Sequence, residues 1–123
     1  MRIAVYAFDG VTMFHLSIPQ MVFGTVSRLG LADWRVSLFT TGSVSSLTTA
    51  SIRTSEGYVL SGLGGPESAR EADVVVVPAW FADGRAAEDS LRSLLKEAHD
   101  RGASVVGLCL GAIPLAEAGL IGG

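Results

Sequence analysis

The chain has 123 residues, 49% of them hydrophobic, with a formal net charge of −3 and a single cysteine. That length and apolar content describe one packed domain rather than a disordered segment. The acidic balance excludes a phosphate-gripping surface of its own, no apolar run reaches the roughly 20 residues of a membrane helix, and one cysteine excludes an intrachain disulfide and fits a reducing cytoplasm.

Residues 2–8 form a short apolar run suited to burial on both faces of a parallel sheet. Asp9-Gly10 signals a turn, and Val11 to Leu16 is an unusually apolar loop that packs under a sheet edge or covers something. Ser17-x-x-Gln20 is a capping-box pattern, so a helix is expected from there to Leu29, with Val22, Val26 and Leu29 on its inner face and Gly30 as its stop. His15 then falls in the loop before that helix. It is either a histidine bonded to backbone or a proton-transfer partner for a nucleophile.

Residues 34–41 read as the second strand, with Trp34, Val36 and Leu38 on one face. Residues 42–51 form a polar connector, and residues 52–54 and 58–60 suggest a hairpin beside the main sheet. Ser61 to Pro66 is a glycine-rich connector lacking the strand-then-helix context of a dinucleotide loop, and residues 67–71 make one helical turn. Val74 to Val77 is the central strand, ended by Pro78. Ala79-Trp80-Phe81 therefore lies at the carboxyl edge, where open α/β sheets bind ligands. Trp80 is a core cap, a pocket wall, or both.

Residues 87–100 carry the clearest amphipathic pattern, with Leu91, Leu94, Leu95 and Ala98 at i, i+3, i+4 and i+7. Glu97 and Arg101 have the spacing of an intrahelical pair, and His99 suits the helix's carboxyl end. Residues 104–108 are a strand that breaks into a helix from about Leu110, with Pro114 in its first turn. At the break stands Gly107-Leu108-Cys109-Leu110-Gly111, the cysteine form of the G-x-S-x-G nucleophile elbow. The flanking glycines permit a cramped turn that lifts the sulfur off the sheet, and the amides of the next helix favour thiolate. The plainer reading makes Cys109 a small buried apolar residue. One cysteine and two distant histidines offer no metal-ligand spacing, and no cofactor is implied.

Three stretches, Ile3 to Gly10 with Pro19 to Phe23, Ala72 to Pro78, and the elbow with Leu115 to Leu120, resemble the class I glutamine-amidotransferase-like (ThiJ/PfpI) superfamily. Within it they look most like the N-terminal domain of AraC-type transcriptional regulators. The resemblance implies a single domain over 1–123, a three-layer α/β/α sandwich with a mainly parallel, flavodoxin-like sheet. It also implies that counterparts continue past the elbow helix, so that more chain is expected after Gly123. Family enzymes place a glutamate where Met21 stands and, in isonitrile hydratases, an aspartate where His15 stands. The usual glycine pair after the central strand is Ala79-Trp80, and Leu110 replaces a threonine common in the regulator branch.

Those replacements favour a ligand-sensing, dimerising domain of a bacterial AraC-type regulator over an enzyme. Ala79, Trp80, Leu110 and Met21 would contact a partly hydrophobic small molecule, the protein would be a cytoplasmic homodimer, and a separate segment would touch DNA. The alternative is a cysteine-dependent enzyme of isonitrile hydratase, glyoxalase-like or amidohydrolase type. There Cys109 would be the nucleophile, His15 would move the proton, and amides near Ala79 and Leu110 would stabilise the anion. A third reading, redox sensing, needs only an accessible Cys109 thiol.

Overall fold

The computed structural model describes residues 1–41 and 50–120. The polar connector expected from residue 42 therefore lies largely outside the described residues, as do Ile121 to Gly123. Among these residues six strands and four helices follow in the order β1 (Arg2–Tyr6), α1 (Met13–Arg28), β2 (Arg35–Phe39), β3 (Ala50–Arg53), β4 (Val59–Leu63), α2 (Pro66–Arg70), β5 (Val74–Val77), α3 (Asp89–Asp100), β6 (Ser104–Gly107) and α4 (Ala112–Glu117). A 3₁₀ turn at Cys109–Gly111 joins β6 to α4.

The main sheet has the order β2-β1-β5-β6, and all its pairings are parallel. Its inner strands β1 and β5 are the two most apolar runs, and Val5, Val75, Val76 and Val77 are wholly buried. The chain steps one way from β1 to β2 and the other way from β5 to β6. Parallel crossovers are right-handed, so this reversal puts α1 on one face and α3 on the other, which makes the three layers. It also makes the gap above β1 and β5 the switch point, where crevices open at the carboxyl ends of strands. On the α3 face, Leu91, Leu94, Leu95 and Ala98 are buried as their period requires, and α2 packs beside them.

The hairpin forms as expected from β3 and β4, antiparallel, but the supposed connector after it is partly strand. Ser61 to Leu63 complete β4 because Leu63 is an anchor in the core. Gly64 then exchanges backbone hydrogen bonds with Leu38 and Thr40, tying the hairpin to β2.

Helix α1 departs most from expectation. It starts at Met13, not near Ser17, because Thr12 caps it: the Thr12 hydroxyl oxygen accepts the His15 N–H at 3.2 Å. Ser17 donates instead to the Phe14 carbonyl, and Pro19 sits inside the helix. With that phase the inner row is Leu16, Pro19 and Phe23, and Val22 and Leu29 are exposed. The expected intrahelical pair of Glu97 and Arg101 is also absent. Glu97 faces Arg70 at 3.9 Å, and Arg101 caps the carbonyls of Ala69 and Ala72, because α2 lies close enough to compete for both. No helix among the described residues is long and apolar enough to cross a membrane.

Candidate functional site

Three loops at the carboxyl edge of the sheet converge on a cavity of about 150 Å³. Phe8, Gly10, Val11, Thr12 and His15 come from the end of β1 and the start of α1. Ala79, Trp80 and Phe81 follow β5, and Cys109 and Leu110 follow β6. The site thus lies over the switch point that the strand order creates.

The β6 turn is the most constrained part. Cys109 has φ +53°, the only non-glycine residue with positive φ among those described. A left-handed conformation costs an ordinary residue about 1–2 kcal/mol, so surrounding contacts must impose it. They do. A Cβ on Gly111 would lie 2.1 Å from the Val77 carbonyl oxygen, and one on Gly107 would meet the backbone of Gly111 and Ala112 at 2.8 Å. The two glycines let the turn press directly on β5 and on its own continuation. Its thiol is exposed at the cavity rather than buried, which disposes of the plainer reading. The helix behind it begins later than expected, at Ala112, because the chain first makes the tighter 3₁₀ turn.

The opposite wall is aromatic. Phe8 stacks on Tyr6 at 5.5 Å and meets Trp80 and Phe81 at 5.3 and 5.2 Å. Trp80 donates from Nε1 to the Arg85 carbonyl, and the Arg85 guanidinium covers the Phe81 ring at 3.7 Å. Asp83 holds that guanidinium in turn, and the pairing keeps the Asp83 carboxyl below the usual carboxylate range. Trp80 is therefore both part of the aromatic packing and a wall of the cavity.

His15 lies in the first turn of α1, not in a loop. Its Nδ1 is 2.5 Å from Thr12 Oγ1. Either atom can be the donor in that contact, because a hydroxyl oxygen has two lone pairs and can accept from Nδ1–H as well as from the His15 N–H. Phe14 meets the ring edge-on at 5.4 Å. Among the described residues no hydrogen bond joins Cys109 to His15 or to any other side chain, and no carboxylate lines the cavity. The N–H groups of Ala79 and Leu110 likewise have no acceptor among the described residues.

Five of the six residues singled out in the sequence thus share one cavity: Cys109, His15, Ala79, Trp80 and Leu110. Met21 does not line it; it stands two turns along α1, facing outward. The sequence reading missed Thr12 and Phe8, and placed Phe81 at the carboxyl edge without giving it a role. Thr12 carried a signal, a hydroxyl three residues before a histidine at a helix start. The aromatic triad is brought together only by the fold.

The hairpin fixes the loop that carries these groups. Asp9 Oδ1 accepts the Arg53 N–H, Gly10 donates to the Arg53 carbonyl, and Ser55 donates to Val11. Glu56 Oε1 accepts the Met13 N–H at 3.1 Å, which lowers the Glu56 pKa. A lowered carboxylate pKa contributes stability in full above the ordinary value, and that contribution disappears as pH falls through the lowered one. Thermal unfolding followed through the acid range should thus show a steeper loss of Tm for the parent than for Glu56→Gln. Parallel curves would mean the clamp contributes nothing.

No protein-family model matches the sequence. It is 32% identical over 123 residues to an uncharacterized protein encoded in the cpoL 5′ region of Streptomyces lividans, an alignment covering 99% of this chain and 82% of that one. In structure it superposes on an AraC family transcriptional regulator from Pseudomonas putida with TM-score 0.79 and 18% identity, over 97% of this chain and 61% of the regulator. It also superposes with TM-score 0.63 and 23% identity on an Anabaena variabilis protein containing DJ-1/ThiJ/PfpI-like and ferritin-like domains, over 100% of this chain and 34% of that one. The chain therefore spans less than two thirds of either solved protein.

Proposed function

From the premise that this chain belongs to one family with the Streptomyces lividans protein and has the ThiJ/PfpI-like fold, we propose that it is the ligand-sensing, dimerising domain of a bacterial, cytoplasmic AraC-type regulator. In that role it binds a small, partly hydrophobic molecule in the Cys109 cavity without converting it, and a separate segment contacts DNA. One observation carries the reading: the cavity has an aromatic wall and a thiol, and among the described residues no base is bonded to that thiol and no carboxylate lines it. Thr12 engages His15 Nδ1, so the nearest base is turned to another partner. A cavity of about 150 Å³ suits a compact ligand of a few heavy atoms, below the usual range of drug-sized pockets.

The test is a thermal-shift screen of small metabolites coupled to product analysis. A ligand at a hundred times its Kd adds about 2.7 kcal/mol, several degrees in Tm for a domain this size. The expected result is a shift, reduced by Trp80→Ala, with no product formed.

A second reading, a cysteine-dependent enzyme built on a nucleophile elbow, draws on the costly backbone conformation at Cys109 and the unpaired amides of Ala79 and Leu110. Isonitriles, α-oxoaldehydes and amides are the substrates to assay. Turnover by the parent that vanishes in Cys109→Ser would establish this reading and displace the first.

A further inference from the structure

The connection from β5 to α3, residues 78–88, carries a half-buried ring, Phe81, at the edge of the Cys109 cavity. A Cβ placed on Gly10 would lie 2.9 Å from Phe81 Cε1 and 3.2 Å from Cζ. The edge of the ring therefore rests on the Gly10 backbone and spans from the loop after β5 to the loop after β1. Gly10 is fixed on its own side, because its φ of +94° favours glycine and its N–H donates to the Arg53 carbonyl. No side-chain bulk fits between the two. The ring closes that side of the cavity and helps hold it to about 150 Å³, room for a molecule of about the size of benzene.

A half-buried ring is free to turn toward solvent unless something stands over it. Here Phe8 and Trp80 each meet the ring at 5.2 Å, and the Arg85 guanidinium covers its face at 3.7 Å. Asp83 grips that guanidinium by its edge: Oδ1 accepts the Arg85 backbone N–H at 3.0 Å and Nε at 3.2 Å, and Oδ2 accepts Nη2 at 2.8 Å. Edge and face are different parts of the group, so the contacts reinforce one another: the carboxylate fixes the plane, and the plane covers the ring. Gly84, with φ +83°, makes the turn that brings the pair together. Trp80 Nε1 closes the segment on the Arg85 carbonyl, and Glu117 accepts the Ala87 N–H at 2.7 Å beyond it. The ion pair is exposed, so it acts through geometry more than through charge, and a lysine would not replace the arginine.

We infer that Phe81 limits the size of molecule the cavity admits, and that Arg85, held by Asp83, is its positioning residue. This deepens the sensing role proposed above and rests on it for the ligand. A molecule no wider than one six-membered ring fits beside the aromatic wall, and a fused-ring molecule meets Phe81.

Cys109 is the only cysteine in the chain, so its alkylation reports on this cavity. Two uncharged reagents, N-methylmaleimide and N-pyrenylmaleimide, test the limit on the whole chain without ligand or turnover. Failure here leaves the sensing role standing, and an empty ligand screen leaves the size limit standing. The pyrenyl-to-methyl rate ratio, divided by the same ratio for glutathione, should be about tenfold or more below one in the parent. Arg85→Ala, Arg85→Lys and Asp83→Asn should each raise it about threefold or more, with the methyl rate and the Tm unchanged. Adding Asp83→Asn to Arg85→Ala should change nothing further, since Asp83 acts through Arg85. Phe81→Ala should raise the ratio most. Phe81→Leu, which keeps much of the bulk but offers no ring face, should match Arg85→Ala. A parent ratio equal to that of glutathione, a ratio indifferent to both Arg85→Ala and Phe81→Leu, or a parallel rise of both rates, as in a loop loosened as a whole, would overturn the inference.

Discussion

Gly111→Ala is expected to destabilise the protein by about 3 kcal/mol or more, at or beyond the upper end of ordinary overpacking. The added methyl would sit 2.1 Å from the Val77 carbonyl oxygen and 2.9 Å from its carbon. Both are backbone atoms of an inner strand that is itself paired on both sides, so neither can turn aside as a side chain would. Something larger must move: either the β6 turn lifts from β5 or the 3₁₀ turn unwinds. Each also displaces Cys109, so the thiol of the surviving folded fraction should react with a maleimide at a changed rate. Gly30→Ala is the control. It too adds a methyl at a glycine, here with positive φ and nothing within 4 Å, so it should cost only the conformational penalty of about 1–2 kcal/mol. Urea denaturation of the three proteins decides the matter, and a Gly111→Ala protein no less stable than the control would refute the close approach.

That clash explains why the β6 turn was legible in sequence. Two glycines around a cysteine between a valine-rich strand and a helix form a local signature, because the strand and helix involved are adjacent in the chain. The buried strands β1 and β5 and the face of α3 were legible for a similar reason: each pattern is set by burial on an element of known period. Helix α1 was not. Its outer stripe is as apolar as its inner row, so periodicity alone could not say which faces the core, and Val22 and Leu29 were assigned inward. The helix starts at Met13, five residues before a Ser17 cap would begin it, and the burial of Leu16 and Pro19 shows which face is inward. Competition across space hid other contacts. Arg101 has a glutamate one turn back, yet it donates to the carbonyls of Ala69 in α2 and of Ala72 just after it, and Thr12 rather than Cys109 holds His15.

The cavity follows from topology more than from any one motif. Reversal of strand order between β1 and β5 leaves a gap that no crossover helix covers, and the loops after three strands fill its rim. Those loops are not loose. The hairpin holds the first through Arg53, Ser55 and Glu56, aromatic packing holds the second, and glycine contacts hold the third. A rim fixed on every side is suited to recognition by shape, since little ordering entropy remains to be lost when a ligand enters.

Phe8→Ala should have the second large effect, a loss of about 3–5 kcal/mol, as for a buried phenylalanine whose site cannot collapse. Phe8 is 7% exposed and is the one ring that touches Tyr6, Trp80 and Phe81 together. Each such pair contributes about 0.5–1.5 kcal/mol beyond area burial, so the loss includes three geometric terms as well as apolar transfer. Collapse is hindered on two sides. Tyr6 is anchored through its hydroxyl to Glu88 and Thr41, and burial pushes that phenol's pKa well up, so it stays a neutral donor throughout the working pH range. Trp80 is anchored through Nε1 to Arg85. With both neighbours pinned, the space vacated by the ring should open into the Cys109 cavity rather than close. Phe8→Leu, which keeps most of the volume, should cost less than about 1.5 kcal/mol. The two variants therefore separate stability from recognition: in Phe8→Leu the protein stays folded while ligands that pack on the ring lose affinity, and in Phe8→Ala at low temperature larger apolar ligands gain it. Calorimetric titration of both, with denaturation curves alongside, checks each half. Equal stability for Phe8→Ala and Phe8→Leu would show that the wall is not rigid.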